Sequence, residues 1–216
     1  METISAKARY RVWVNALFVD HGLLRTVWTN FHVVKPQVLY RSNHPTPGNL
    51  RRFVRQAGIK TLINLRGRTT TGADTLSREA ARKIGLDFLD VPMRSSVAPQ
   101  REAILQLAEA FSSMRKPALV HCKSGADRAG FASAIFLLLE GETPAHAKTQ
   151  LALRYGHLKY ARAGILDKFI DAWAASEGKK PFLNWVAEDY DAAELQAAFK
   201  SNTMARFLND RILRRE

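Results

Sequence analysis

The chain has 216 residues and a hydrophobic fraction of 46%, which together predict one globular domain with a sizeable core and exclude a disordered chain. Its single cysteine excludes an internal disulfide and, with no secretory signal pattern, predicts a cytoplasmic protein. The formal net charge of +13 predicts an anionic partner, such as a phosphorylated substrate or an acidic membrane surface. Nucleic acid is not favoured, because the basic residues are spread along the chain without interleaved aromatic residues.

The first predicted elements are helical. Residues 1–35 are expected to form a helical segment that packs on the domain, and the basic and apolar residues near its start make membrane-surface contact the alternative. A first strand follows at 38–40. Thr46 and Pro47 then have the pattern of a helix start, and Gly58 has that of a helix end.

Strands and helices alternate in the middle of the chain. Strands are expected at 61–65, at 86–91 and directly before Cys122, and helices are expected at 75–84 and after Pro99. This alternation predicts an α/β fold, with a mostly parallel sheet of four to five strands flanked by helices. Ligands of such sheets bind beyond the carboxyl ends of the strands.

The last third of the chain is predicted to be helical. A central domain is expected at 36–180 and a C-terminal helical extension at 181–216, with His157 in a loop that is solvated or borders the substrate mouth. The aromatic residues Trp173, Trp185 and Tyr190 are expected to be packing anchors. The predicted helices lie at about 144–154, 162–176, 190–200 and 202–213.

The chemistry is concentrated around the single cysteine. Cys122 stands between an apolar run typical of a strand and one typical of a buried helix, and Arg128 follows six positions later. Gly125, in the loop between them, permits the backbone conformation of a tight turn. A tight loop that opens a helix directs backbone N–H groups and the positive end of the helix dipole toward an anion. The sequence therefore predicts a phosphate cradle with a thiol at its base.

Such a loop also favours the thiolate, since cysteines at helix N-termini and beside cations have pKa values of about 3.5–7.5. Cys122 would attack phosphorus to form a thiophosphate that water then hydrolyses, and the planar fork of Arg128 would hold two phosphate oxygens. This chemistry needs no cofactor. No metal site is predicted either, because the six histidines lack ligand spacing.

The run His121-Cys122-Lys123-Ser124-Gly125-Ala126-Asp127-Arg128 resembles the signature loop of the cysteine-dependent protein tyrosine and dual-specificity phosphatase superfamily. Over roughly residues 36–140 the chain is similar to bacterial and fungal atypical dual-specificity phosphatases, notably at Tyr40-Arg41-Ser42 and at the strand before Arg66. The resemblance implies a protein tyrosine phosphatase-like fold with extra N- and C-terminal helices. It also implies that Cys122 is the nucleophile, that Arg128 clamps phosphate, that His121 orients the loop and supports the thiolate, and that residues 123–127 supply backbone donors.

Two features depart from the family's pattern. Ala129 replaces the Ser or Thr that usually follows the arginine and helps the sulfur to leave, so slower thiophosphate breakdown, or help from Ser124, is expected. The segment after the strand at 86–91, where the general acid usually lies, has no carboxylate. The loop is similar to a bacterial subgroup in which the in-loop Asp has been proposed as the acid, so Asp127 is the first candidate. An ion pair that shapes the loop is its alternative role, and Asp90 and Asp74 are the other acid candidates.

Two further basic residues follow strands at the same edge of the predicted sheet. Arg66 and Arg94 would bind a second anionic group of the substrate, or else form surface salt bridges that contribute little. A second anionic group would favour an inositol phosphate, a phosphoinositide or an acidic phosphopeptide. The remaining alternative is a weakly active module that binds phosphorylated partners, which Ala129 and the unassigned acid motivate.

Overall fold

The computed structural model describes residues 28–176 and 180–200. A five-stranded sheet has the order β1-β2-β5-β3-β4, and all of its neighbouring strands are parallel except β1 and β2. This confirms the predicted α/β class and the mostly parallel sheet. The strands are β1 His32–Lys35, β2 Leu39–Ser42, β3 Thr61–Asn64, β4 Asp87–Asp90 and β5 Ala118–His121.

Helices connect the strands and complete the C-terminal part of the described chain. The first begins and ends as its sequence signals predict: the Thr46 side chain accepts a hydrogen bond from the Asn49 amide, and Gly58 is left-handed with φ 64°. No described helix is both long and apolar enough to cross a lipid bilayer. The helices are α1 Pro47–Ala57, α2 Gly72–Lys83, α3 Arg101–Ser113, α4 Asp127–Leu139, α5 Pro144–Lys148, α6 Ile165–Ala175, α7 Phe182–Glu188 and α8 192–200.

Apolar residues cover both faces of the sheet, because successive strand residues point to opposite sides. Leu39, Ile63 and Val120 face the larger core, which α3, α4, α6 and α7 complete. Their strand neighbours face a smaller core under α1 and α2. Helix α4 is buried from Ala129 to Leu138, as its apolar sequence predicted.

Three segments differ from the sequence prediction. Residues 28–35 were predicted to be helical, but they contain no helix, and His32–Lys35 pairs with β2 as an antiparallel hairpin. The helix predicted at 144–154 ends at Lys148, and the Gln150 carbonyl beyond its end accepts a hydrogen bond from Arg41. Helix α7 was not predicted; its Trp185 packs with Tyr190 around Phe169 in the main core. Residues 1–27 and the helix predicted at 202–213 lie outside the described residues.

Candidate active site

Cys122 lies where a central strand meets a buried helix. It directly follows β5, which pairs with β2 on one side and β3 on the other, and the loop 122–126 leads into α4. The side chain is only 2% exposed, and its Sγ accepts a hydrogen bond of 3.2 Å from the backbone N–H of Gly125. A rigid strand and a rigid helix therefore fix both ends of the loop, which preorganised donors require.

The carbonyl groups of the loop are held from its outer side. The Asn30 side chain donates to the Ser124 carbonyl at 3.0 Å. Arg41 Nη2 donates to the carbonyls of Gly125 at 2.7 Å and Ala126 at 3.0 Å. Three consecutive carbonyl oxygens thus have buried side-chain donors that come from a distant part of the chain.

This arrangement orients the amide groups of the loop. Because a trans peptide unit is planar, its N–H points opposite to its C=O, so fixing three carbonyls outward turns the N–H groups of Gly125, Ala126 and Asp127 inward. Two of these have acceptors in the structure: Gly125 N–H meets Cys122 Sγ, and Ala126 N–H meets Ser124 Oγ at 3.3 Å. Convergent amide donors at the start of a helix form an anion-binding concavity.

Arg41 is the residue that sequence reasoning missed. Its side chain is fully buried, its Nη1 donates to the carbonyl and side-chain oxygens of Gln150, and its guanidinium lies 4.0 Å from the ring centre of Tyr155. Burial lowers the pKa of Arg41 to about 10, so the group stays cationic at neutral pH. A single arginine therefore links the cradle to the segment after α5. The Tyr-Arg-Ser pattern marked the position but gave no sign of this role.

Glycines allow this close packing at two points. Gly125 has φ +77°, and a Cβ on it would lie 2.6 Å from the Asn43 amide nitrogen. A Cβ on Gly130 would lie 2.6 Å from the Gln150 carbonyl oxygen. Both distances are shorter than carbon and backbone atoms tolerate, so a side chain at either position would push the loop away from its supports.

Arg128 joins the three segments that were expected to converge. Its Nη1 donates to the carbonyls of Leu65 and Met93, each at 3.4 Å. These residues directly precede Arg66 and Arg94. Arg94 is exposed, whereas Arg66 is half-buried and contacts His44 Nδ1 at 3.1 Å.

His121 is a buried part of the support. Its ring is fully buried and packs edge-on against His44 at 4.7 Å. Burial, reinforced by electrostatic interactions with His44 and Arg66, lowers the pKa of His121 well below its usual range. The ring is therefore neutral at pH 7, and its contact with the His44 ring is a packing contact. Next to it, the Lys123 carbonyl accepts from the His44 amide, while the Lys123 side chain is exposed.

Asp127 belongs to a chain of three ionisable side chains. His157 Nδ1 lies 2.8 Å from Asp127 Oδ1, and His157 Nε2 lies 2.7 Å from Asp167 Oδ2. Burial opposes the charged ring, but the two carboxylates outweigh it and raise the pKa of His157 to about 9. The prediction of a solvated His157 was wrong, since its side chain is fully buried. The ion pair weighed as an alternative role of Asp127 is present.

The other two acid candidates have partners elsewhere. The Arg78 guanidinium donates to Asp74 at 2.9 Å and to Asp90 at 2.7 Å. The Asn64 side chain donates to both carboxylates as well, at 3.3 and 3.0 Å. Asp74 and Asp90 therefore tie β3, α2 and β4 together, which leaves Asp127, the first residue of α4, as the candidate carboxylate that adjoins the loop.

Comparison with known proteins identifies a family. The profile of the DSP-PTPase phosphatase domain of the Swiss Army Knife proteins, PTP-SAK, matches residues 29–163. No curated protein matches the chain in sequence.

Solved structures share the fold at low sequence identity. TpbA of P. aeruginosa superposes with a TM-score of 0.54 over 79% of this chain and 90% of its own, at 16% identity. The core catalytic domain of the PP-IP phosphatase SIW14 of S. cerevisiae gives 0.54 over 69% and 93%, at 18% identity. A putative phosphatase of Shewanella putrefaciens gives 0.52 over 69% and 95%, at 22% identity. These likenesses confirm the predicted phosphatase-like fold.

Proposed function

The chain belongs to the DSP-PTPase phosphatase domain family, and from this we propose that it hydrolyses phosphomonoesters without a metal ion, through a phosphorylated Cys122. The observation that carries the proposal is the outward fixing of the Ser124, Gly125 and Ala126 carbonyls, which turns the amide groups of the next three residues the other way, with the Gly125 amide at the sulfur. Preorganised donors of this kind stabilise the charge of a transferring phosphoryl group.

The reaction has two displacements at phosphorus. In the first, the Cys122 thiolate forms an S–P bond while the bond from phosphorus to the leaving oxygen breaks, and that oxygen takes a proton. In the second, a water oxygen attacks phosphorus, the S–P bond breaks, and inorganic phosphate leaves with the thiolate restored. Arg128 holds two phosphoryl oxygens through both steps, exchanging its two long carbonyl contacts for a charge-assisted pair.

Asp127, paired with the protonated His157, passes a proton to the leaving oxygen in the first step, and the pair takes one back from water in the second. Asp127 is the candidate carboxylate that adjoins the loop, and its side chain is 31% exposed, so its second oxygen is accessible to a leaving group. The contact with His157 fixes the carboxyl through Oδ1. General acids of this kind contribute about 10²–10⁴-fold to the rate.

The substrate class follows from the basic residues at the same edge of the sheet. Arg66 and Arg94 stand directly after the two carbonyls that Arg128 contacts, so they lie near the position of a bound phosphate. The leading candidate for the substrate is a phosphorylated protein side chain, as in protein tyrosine and dual-specificity phosphatases. A phosphoinositide or inositol phosphate is the alternative that two extra cations favour. A reducing, cytoplasmic location suits a thiolate nucleophile.

A weakly active phosphate-binding module is the competing function. It is favoured by Ala129, which is fully buried in the first turn of α4 and offers no hydroxyl to the sulfur. It is disfavoured by the presence of Cys122 with its sulfur at the Gly125 amide. A module that only binds phosphate needs the amide donors of the loop but has no use for a thiol.

The test is hydrolysis of p-nitrophenyl phosphate in the presence of a chelator. We expect turnover that falls about a thousand-fold or more in Cys122→Ser, with an unchanged thermal midpoint. A Cys122→Ser variant as active as the natural chain would refute the covalent mechanism. An inactive natural chain that still binds inorganic phosphate would establish the binding module instead. A turnover panel of phosphopeptides, phosphoinositides and inositol phosphates then assigns the substrate.

A further inference from the structure

Large apolar side chains are exposed beside the cradle. Among residues 28–176 and 180–200, the exposed large hydrophobic residues are Trp28, Val33, Leu105, Leu153, Leu158 and Tyr160. Four of them are Trp28, Leu153, Leu158 and Tyr160. We call Trp28 and residues 153–162 the rim. Leu153 and Tyr160 are 73% and 75% exposed, as much as a polar surface residue, which is unusual for side chains of this size.

The rim is continuous in space and adjoins the loop. A Cβ placed on Gly156 would lie 3.1 Å from the Trp28 ring and 3.7 Å from the Ala126 Cβ. The Asn30 side chain joins the same parts, since it donates to the carbonyls of both Ser124 and Tyr155. Within the rim, His157 is hydrogen-bonded to Asp127. The rim therefore lies against the outer side of the loop, where the Asn30 side chain joins it to the Ser124 carbonyl.

The charge of the rim has one sign. Arg154, Lys159 and Arg162 are all exposed, and residues 151–166 contain no Asp or Glu. Lys159 Nζ lies 4.9 Å from the centre of the Tyr160 ring, so that a cation and an amphipathic ring are presented together. A protein surface that mixes Trp, Tyr and Leu with Lys and Arg matches the interface of a bilayer, whose headgroups are anionic and whose acyl chains lie just beneath.

We propose that the rim docks this protein on the surface of an anionic phospholipid bilayer. The alternation of apolar and basic side chains along 153–162 favours a bilayer over an acidic peptide. An acidic peptide would be bound by the cations alone and would leave Leu153, Leu158 and Tyr160 in water. A bilayer removes these apolar groups from water while the cations stay at the headgroups.

The docking is independent of the chemistry at the sulfur, so it is separable from the proposed function. The chain also offers matched controls. Val33 and Leu105 are exposed apolar residues outside the rim. Lys60 and Lys116 are exposed cations that precede β3 and β5, at the opposite end of the strands from the cradle.

The experiment is flotation of the full chain with phosphatidylcholine vesicles that contain or lack phosphatidylserine. We expect binding that requires phosphatidylserine and weakens with salt. The combined change Leu153→Ser, Leu158→Ser and Tyr160→Ser should weaken binding about ten-fold or more. Changing Arg154, Lys159 and Arg162 to Gln should weaken it about five-fold for each cation removed. The control pairs Val33→Ser with Leu105→Ser, and Lys60→Gln with Lys116→Gln, should bind as the natural chain does.

The outcomes are distinct. Vesicle binding that the rim variants leave unchanged, or that the control pairs reduce equally, overturns the proposal. So does capture of an acidic peptide by the rim without binding to vesicles. The Cys122→Ser variant should bind vesicles normally. Vesicle binding without hydrolysis of p-nitrophenyl phosphate would refute the proposed function and support the docking surface. Hydrolysis without vesicle binding would support the proposed function and refute the docking surface.

Discussion

Arg41 Nη2 lies 2.7 Å from the Gly125 carbonyl oxygen, although the two residues are 84 positions apart in the chain. The contact places a buried cation behind the loop and turns the N–H of the same peptide group to the opposite side. The geometry of the loop therefore depends on strand β2, which is distant in the sequence, as well as on the residues of the loop itself.

Changing Arg41 to Lys should preserve the charge but remove the fork that holds two carbonyls. Two lost hydrogen bonds to a charged group correspond to about 3 kcal/mol, so we expect kcat/KM for p-nitrophenyl phosphate to fall about a hundred-fold. Inhibition by inorganic phosphate should weaken with it, because the same amide groups bind both. Arg55→Lys, at an exposed position on α1, is the control. Full activity in Arg41→Lys would mean that the loop holds its shape unaided.

Gly125→Ala should impair both stability and activity. The left-handed conformation alone costs about 1–2 kcal/mol for a residue with a side chain, and here the Cβ would also collide with Asn43 and Ser42. Gly58→Ala is a matched control, since Gly58 has φ +64° but no neighbouring atom within 4 Å of the added Cβ. We expect Gly58→Ala to lower the free energy of unfolding by about 1 kcal/mol with normal turnover. Equal activity in the two variants would show that the loop tolerates displacement.

His157 should make the stability of the protein fall at alkaline pH. Its pKa is raised from 6.5 to about 9 in the folded protein, so its contribution is complete below pH 6.5 and is lost as the pH rises through 9. The thermal midpoint of the natural chain should decline across that window. In His157→Gln the part of this decline in thermal midpoint that comes from titration of His157 between pH 6.5 and 9 should disappear.

His157→Gln should also be less stable at neutral pH. Removing one partner from a buried ion pair costs about 3 kcal/mol, equivalent to about 10 °C in the thermal midpoint. His146→Gln is the control, because His146 pairs with Glu142 at an exposed site. A pH profile that is identical in the natural chain and in His157→Gln would contradict a charged imidazole between Asp127 and Asp167.

Asp127→Asn separates the two roles of this carboxylate. A general acid matters most for a poor leaving group, so the loss should be about a hundred-fold greater for phenyl phosphate than for p-nitrophenyl phosphate. Asp167→Asn perturbs the same ion pair from the other side of His157 and should affect both substrates equally. If Asp127→Asn also affects them equally, Asp127 only supports the loop.

Ala129→Ser should accelerate the second chemical step. A hydroxyl at this position would donate to the leaving sulfur, and one hydrogen bond corresponds to about a ten-fold increase in rate. Rapid-quench measurements should find a burst of nitrophenol in the natural chain, with a smaller burst and faster steady turnover in Ala129→Ser. A burst of unchanged size would show that breakdown of the thiophosphate does not limit turnover.

Much of the site could be predicted from short stretches of sequence. Cys122, Gly125 and Arg128 could be proposed as site residues because an anion-binding loop consists largely of backbone, and the backbone conformation depends on local spacing and on where glycine stands. Helix α4 was predicted for a similar reason, since a run of apolar residues has a simple physical consequence. Strand β1 was missed because its four residues acquire their structure by pairing with β2.

The role of His157 could not have been predicted in the same way. An isolated histidine in a loop is ordinarily solvated, and its fully buried position depends on Asp127 and Asp167 arriving at its two nitrogens. Those positions lie 30 and 10 residues away, and no periodicity links them. The exposed rim was hidden for the same reason, since Trp28 meets Gly156 only in the folded chain.

The sequence by itself determined the alternation of strands and helices between residues 38 and 139, the position of the thiol and the spacing to its arginine. These depend on interactions between near neighbours, namely apolar periodicity, helix caps and the freedom of glycine. The tertiary structure alone decided which side chains hold the loop from behind, which base meets Asp127, and which apolar groups are left in water near the loop. Those outcomes depend on contacts such as Asn30 to Tyr155, which span 125 residues, and no local pattern encodes such a contact.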